Sequence, residues 1–195
     1  MAEIMAPRKT QIYTIAENLF REKGYSATSM RHLANEIGIE AASIYSHIKN
    51  KQEILRSICF RMADEFFAEI HQIGGQYLAP ETQLRESIKA HIRVITKNVN
   101  AASVFFHDWK FLEEPDLSHF KAMREQYEDH FKQIINKGIS TEVFSATNLS
   151  FTTRTFLAAL NWTYEWYTPE GNLSPAEIGE NLADLLMKGI LKPKN

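Results

Sequence analysis

A chain of 195 residues with 44% hydrophobic side chains can fill a sizeable core, which sets aside overall disorder. No charged-then-apolar leader opens it and no apolar run approaches about 18 residues, so secretion and membrane spanning are disfavoured and a cytoplasmic location is expected. The net charge of -2 is unevenly spread: residues 1–51 hold seven Lys or Arg against five Glu, leaving 15 against 19 for the remainder. A mildly cationic piece on a more acidic one suggests that an anionic partner meets the N-terminal end.

From Lys9 to Lys23, the apolar residues Ile12, Ile15, Ala16, Leu19 and Phe20 follow helical spacing, and Gly24 ends the run. Thr28 is expected to cap a second helix with Met30, Leu33, Ala34 and Ile37 inward, stopped by Gly38. A third, short helix over about 41–48 turns only Ala41, Ile44 and Ile48 inward. Asn50 and Glu53 read as a capping box for a long helix over 51–73, whose stripe includes Ile54, Leu55, Ile58, Met62, Phe66, Ile70 and Ile73. Cys59, the one cysteine, lies in that helix and reads as a buried small hydrophobe rather than a reactive thiol.

Further helices are predicted at about 81–99, 101–112, 116–137, 147–167 and 175–190, with breaks at Asn98-Val99-Asn100, Glu114-Pro115-Asp116, Gly138 and Pro169-Glu170-Gly171-Asn172. Ser174, Pro175 and Glu177 give the last one a capping box and a first-position proline. No segment reads as a strand. The expected fold is all-α, about nine helices, with an N-terminal helix-turn-helix domain over 1–50 and a ligand-binding and dimerisation domain over 51–195, helix 51–73 connecting the two.

Two helices joined by a tight turn at Gly38-Ile39, with a third packed behind, form a helix-turn-helix scaffold. The second of the pair is short because only its first turns need enter a major groove about 12 Å wide. Ala41 and Ala42 let the backbone approach bases, and Ser43, Tyr45, Ser46 and His47 supply hydrogen-bonding groups. Thr28, Ser29, Arg31, Lys49 and Lys51 sit where phosphates would be held.

The segment AENLFREKGYSATSMRHLANEIGIEAASIYSHIKNKQEIL, Ala16 to Leu55, closely resembles the DNA-binding segment of TetR-family transcriptional regulators. The resemblance lies in Phe20, Gly24-Tyr25 and Thr28, the Ile37-Gly38-Ile39 turn, Tyr45 and His47, and Lys51 to Leu55, and covers about a fifth of the chain. It implies a reader of double-stranded DNA, a connecting fourth helix, a variable ligand-binding domain and a homodimer built on the last two long helices. Glu40 departs from the usual Ser or Thr cap; it could accept from cytosine N4 while repelling phosphate. Ile48 stands where an aromatic residue is common.

In the larger half, Leu157 and Leu160, with Phe156 and Tyr164, form one apolar stripe, and Ile178, Leu182, Leu185 and Leu186 another. They either complete a core or meet a second copy, and the resemblance favours the dimer. The rings of Phe105, Phe106, Trp109, Tyr127 and Phe131, with Phe66, Phe156, Asn161 and Tyr164, are expected around an apolar ligand cavity. The segment Leu160–Ile190 resembles a branch of the family that senses acyl-CoA or related lipid and steroid-degradation thioesters. Arg93, Lys97 and Arg124 would then meet the CoA phosphates, although another lipophilic small molecule also suits the rings.

Catalysis is not expected. His107-Asp108 resembles the paired ligands of helical HD hydrolases, yet no spacing of His, Asp or Glu forces a metal site, and no phosphate loop or nucleophile elbow is found. No cofactor is expected. The alternative to a DNA reader is an all-α module that binds another protein.

Overall fold

The computed structural model describes residues 8–145 and 148–192. Among them the architecture is all-α: α1 Arg8–Lys23, α2 Met30–Ile37, α3 Ala41–Ile44, α4 Lys51–Gly74, α5 Pro80–Lys97, α6 Val99–His107, α7 Asp116–Ser140, α8 Leu149–Asn161, α9 Thr163–Trp166 and α10 Pro175–Lys188. A 3-10 turn, Trp109–Phe111, follows α6. The chain divides into two compact units, one of residues up to Met62 with Asn100–Phe120, the other of Ala63–Val99 with Lys121 onward.

In the first unit, α1 buries Ile12, Ala16, Leu19 and Phe20, and Gly24 ends it at a φ of 83°, a conformation that glycine adopts without the Cβ clash. The cap of α2 is Ser29, not Thr28 as the sequence predicts: the Ser29 side chain accepts from the His32 N–H at 3.1 Å. Thr28 is instead buried, its hydroxyl donating to the Gly24 carbonyl at 3.0 Å. Gly38, at φ 75°, closes α2, and the Ile39 N–H returns to the Ala34 carbonyl at 3.0 Å.

The third helix is shorter than the predicted 41–48. Regular structure ends at Ile44, and residues 45–47 continue as turns in which Ser46 and His47 bond back three residues to Ser43 and Ile44. The Ser46 hydroxyl also donates to the Ser43 carbonyl at 2.7 Å, the local competition that shortens helices at serines. Ile44 and Ile48 still face the core. At the start of α4, Asn50 accepts from the Glu53 N–H at 2.8 Å, but the Glu53 carboxylate reaches back to the Lys49 N–H rather than to that of Asn50.

In the second unit, α5 and α10 lie against each other. Gly179 permits the approach, since a Cβ there would stand 3.2 Å from the Lys89 Cα. Arg85 bridges Glu180 and Asp184 along the same seam. The Ser174–Glu177 capping box and Pro175 open α10 as predicted.

Other predicted boundaries move as well: the helix expected at 101–112 runs from Val99 to His107 and gives way to the 3-10 turn. Gly138 does not end α7, which continues to Ser140; the residue is glycine because the Phe144 ring folds onto it, and a Cβ would lie 2.0 Å from that ring. The predicted helix 147–167 is divided at Trp162 into α8 and the short α9.

Candidate nucleic-acid interface and ligand-binding core

The turn of α3 into residues 45–47 decides what the first unit shows to its surroundings. Because Ile44 and Ile48 are buried, Tyr45, Ser46 and His47 between them are exposed, Tyr45 with 56% of its surface. Ser29, Arg31, Glu40, Ala42, Ser43 and Lys49 are exposed as well, and Ala41 is half-buried. The Glu40 side chain caps nothing, which leaves its carboxylate outward at the edge of the same surface. Small side chains, hydroxyls and an imidazole on a surface with an exposed Arg and Lys suit the edges of bases flanked by phosphates.

Two expected phosphate contacts are structural instead. Thr28 is buried, and Lys51 is half-buried with its ammonium turned inward, donating to the carbonyls of Tyr25 and Thr28 at 2.8 Å each. It also sits 4.1 Å from the centre of the Tyr25 ring. The pattern could not distinguish these two from Ser29 and Lys49, because the direction of a side chain in a turn depends on the tertiary contacts around it.

The same turn is held by residues remote in sequence. Tyr25 stacks on Phe111 with ring centres 5.5 Å apart, and the Phe111 carbonyl accepts from the Gln52 side chain at 2.7 Å. The Tyr25 N–H donates to the Asp108 carboxylate. Burial pushes the Tyr25 phenol up to about 12, with the Glu113 and Asp108 charges acting in the same direction. Burial also raises the Asp108 carboxyl above its ordinary value and lowers the Lys51 ammonium. Further along, Arg56 pairs with Asp116 at 2.9 Å.

The residues expected around a ligand fall in both units. Phe105, Phe106 and Trp109 belong to the first, where the Phe105 ring centre is 4.9 Å from Phe106 and 5.3 Å from Phe120, and Trp109 is 6.0 Å from Phe120. Phe66, Tyr127 and Phe131 come together in the second: Tyr127 lies 5.4 Å from Phe66 and 5.6 Å from Phe131. Phe156 and Tyr164 are buried in that unit, and Arg124 is half-buried. Arg93 and Lys97 are exposed and paired, with Glu69 at 2.6 Å and Glu65 at 2.9 Å, so both cations are already matched at the surface.

At the centre of the second aromatic group sits His91, which the sequence presents as one scattered histidine among several. Its Nδ1 is 3.0 Å from the Tyr127 hydroxyl, and the Phe66 ring lies 4.8 Å away. Burial lowers the imidazole to about 3 and drives the Tyr127 phenol upward, so both are neutral near pH 7. One turn earlier on α5, the buried Ser87 hydroxyl meets His130 Nε2 at 3.2 Å. The available signal was Ser87 and His91, four residues apart on an otherwise apolar face.

The residues expected at a dimer interface divide by burial. Leu160 and Ile178 are buried within the protomer and are not available to a second copy, a correction to the predicted stripe. Leu157, Leu182 and Leu186 are half-buried, and Leu185 is 70% exposed. The apolar groups that α8 does expose lie outside the predicted set: Phe151 at 71%, and Trp162 at its end at 60%. Beside Phe151, the residues Arg154, Thr155 and Ala158 line a shallow depression with Asn148 and Ser150.

Among the described residues, no three His, Cys, Asp or Glu side chains converge as a metal site, and no helix is long and apolar enough to cross a membrane. Residues 12–58 match the model of the bacterial regulatory proteins of the tetR family, and residues 77–190 that of the tetracyclin repressor-like C-terminal domain. The chain is 22% identical over 193 residues to the HTH-type transcriptional repressor KstR2 of Rhodococcus jostii, covering 96% of this chain and 93% of that protein. The structure of the ketosteroid transcriptional regulator KstR2 of Mycobacterium tuberculosis superposes with a TM-score of 0.90 at 22% identity, over 98% of both chains. AibR in complex with isovaleryl coenzyme A and operator DNA superposes at 0.79 and 22% identity, over 92% of this chain and 97% of that one. These likenesses share the fold, and with the two matched models they make the chain a member of the TetR family of transcriptional regulators.

Proposed function

We propose that the chain is a homodimeric repressor that binds a palindromic operator and is released by a lipophilic small molecule, an acyl-CoA being the favoured class. The observation that carries DNA reading is the outward presentation of Tyr45, Ser46 and His47 between two buried isoleucines, beside Ala42 and Ser43. In this reading residues 1–50 form the reader and 51–195 the ligand-binding and dimerisation part. Two readers related by a two-fold axis would span one DNA turn, ~34–36 Å. Phe151, Trp162 and Leu185 are exposed apolar groups that a second copy would cover.

For the ligand, the support is the neutral, hydrogen-bonding pair His91–Tyr127 within aromatic rings, which suits a largely apolar acyl group with a carbonyl. AibR, whose structure superposes on this fold, is seen in complex with isovaleryl coenzyme A and operator DNA, which supports a thioester as the ligand class. Release requires the ligand to prefer the non-binding conformation: moving the population from 1:99 to 99:1 takes ~5.5 kcal/mol of preference, which two sites can share. Binding alone, without that preference, shifts nothing.

The test is binding of the purified protein to the DNA upstream of its own gene, at fixed salt, with isovaleryl-CoA, a long-chain acyl-CoA or free CoA. Specific binding lost with a thioester and retained with free CoA supports both the repressor and the ligand class. Specific binding indifferent to every thioester removes the acyl-CoA. No specific binding there or at any genomic site, with no dependence on salt, removes the DNA reader and favours the protein-binding module.

A further inference from the structure

The turn between α1 and α2 is the entry to the reading surface, since Ser29, at its end, caps α2, and α2 packs directly on α3. Groups from outside α2 and α3 hold that turn. Lys51 of α4 takes two of its carbonyls, at Tyr25 and Thr28. Phe20 of α1 meets the edge of the Tyr25 ring at 5.2 Å, and Phe111 covers the ring from another side, nearly parallel at 25°. Asp108 accepts from the Tyr25 N–H.

Asp108 and Phe111 lie in the corner that links α6 to α7. That corner is itself fastened to α4, by Gln52 on the Phe111 carbonyl and by Arg56 on Asp116. Phe111 keeps 38% of its surface exposed while stacking on Tyr25. Its stacking partner is a residue whose backbone already carries three fastenings, at its N–H, its carbonyl and, through Thr28, the next turn. A contact aimed at so constrained a loop restrains its geometry more than it adds to the core.

We propose that Asp108 and Phe111 are positioning residues for DNA reading: they fix the Tyr25–Thr28 turn, and through Ser29 the placement of α2 and α3, without touching DNA. The proposal rests on the reading of the chain as a DNA-binding regulator. It assigns the α6–α7 corner a direct hold on the reader, separate from any tilt of α4. The same corner follows immediately on Phe105 and Phe106, so a displacement of α6 reaches the turn through a few covalent bonds.

The experiment compares wild type with Phe111→Leu, which keeps apolar bulk and loses the stack, and with Phe111→Tyr, which keeps the ring. Operator affinity, thermal midpoint and amide hydrogen exchange of residues 25–29 are measured on each full-length dimer. Phe111→Leu is expected to weaken operator binding roughly three- to tenfold, the size of one aromatic stack, with faster exchange confined to the turn. Phe111→Tyr is expected to restore both. Unchanged affinity and unchanged exchange in Phe111→Leu would overturn the proposal, as would a loss of affinity accompanied by faster exchange throughout α1 and α4. Should wild type bind no DNA, the repressor reading fails on its own, and exchange in the turn still decides whether Phe111 holds it.

Discussion

The two units treat the same side-chain chemistry in opposite ways. In the first, hydroxyls and an imidazole at Ser43, Tyr45, Ser46 and His47 are turned outward, over buried isoleucines. In the second, Ser87, His91, Tyr127 and His130 are paired with one another among aromatic rings, while large apolar groups at Phe151, Trp162 and Leu185 face out. Outward polar groups keep their water until a hydrated partner replaces it, and inward ones are satisfied only by each other or by a guest. On the proposed function, these exposed apolar groups would meet a dry partner. On that same reading, the contrast separates a face for a polyanion from a core for a neutral ligand and from apolar groups that a second copy would cover.

The largest effect should come from reversing the apolar face. Phe151→Asp places a charge where Phe151 is 71% exposed in the protomer, so the fold of the single chain should survive. Burying that charge in a dimer costs several kcal/mol, which should weaken self-association by a hundredfold or more. Analytical ultracentrifugation reads this directly, and operator affinity should fall with it because one reader spans only half a palindrome. A dimer that persists in Phe151→Asp would move the interface elsewhere.

Next in size is the inward imidazole. His91 is held near a pKa of about 3 by burial, against about 6.5 in the unfolded chain, so between those values the unfolded state binds the extra proton. Stability from this group is present above about 6.5 and is lost as the pH falls toward 3, at up to ~1.4 kcal/mol per unit. Between pH 7 and 5 that amounts to about 2 kcal/mol, above the range where most carboxylates titrate. Denaturation midpoints across that interval should fall in wild type and flatten in His91→Phe. Equal slopes in the two proteins would mean that the imidazole charges without unfolding, and that the inward cluster is wetter than its ring contacts imply.

The outward groups should give a smaller and cleaner change. Tyr45→Phe removes a hydroxyl from an exposed ring and should lower operator affinity about three- to tenfold while leaving the unfolding free energy within about 0.5 kcal/mol of wild type. His47→Ala should behave alike. If both leave DNA binding unchanged, the reading face lies on other residues of the surface, and the contrast between outward and inward polar groups loses its functional meaning.

Much of this contrast can be read in the chain, and the reasons for the rest are local. The spacing of Ile44 and Ile48 already implies that Tyr45 to His47 face out, because helical period and burial are coupled. The periods do not show which turn residues point inward: Thr28 and Lys51 look like Ser29 and Lys49 until Gly24, Tyr25 and Phe111 surround them. The same limit applies to α8, where stripes at nearly the same spacing begin at Phe156 and at Phe151 and only packing decides which one is covered. Gly138 reads as a helix stop because glycine is the usual one, whereas the space it leaves is taken by Phe144, six residues on. His91 escapes notice because a histidine on an apolar stripe gives no sign of whether it meets water or a tyrosine.

The smallest effect concerns Arg93 and Lys97, which the acyl-CoA reading would place on the phosphates. Both are exposed and paired with glutamates, an arrangement worth ~0–1 kcal/mol to stability. Arg93→Gln and Lys97→Gln should therefore barely move the thermal midpoint. Their value lies in the ligand response: to hold a phosphate, each cation would have to leave Glu69 or Glu65, so the phosphate must outcompete a carboxylate already in place. If thioester-induced release of DNA is unchanged in the double variant, the matched cations take no part in CoA recognition and the phosphates must be met by other groups, Arg124 being the next to test. If the response falls tenfold while release by a CoA-free lipophilic analogue is retained, the exchange of partners occurs, and the second unit, neutral within, is charged at the point of entry.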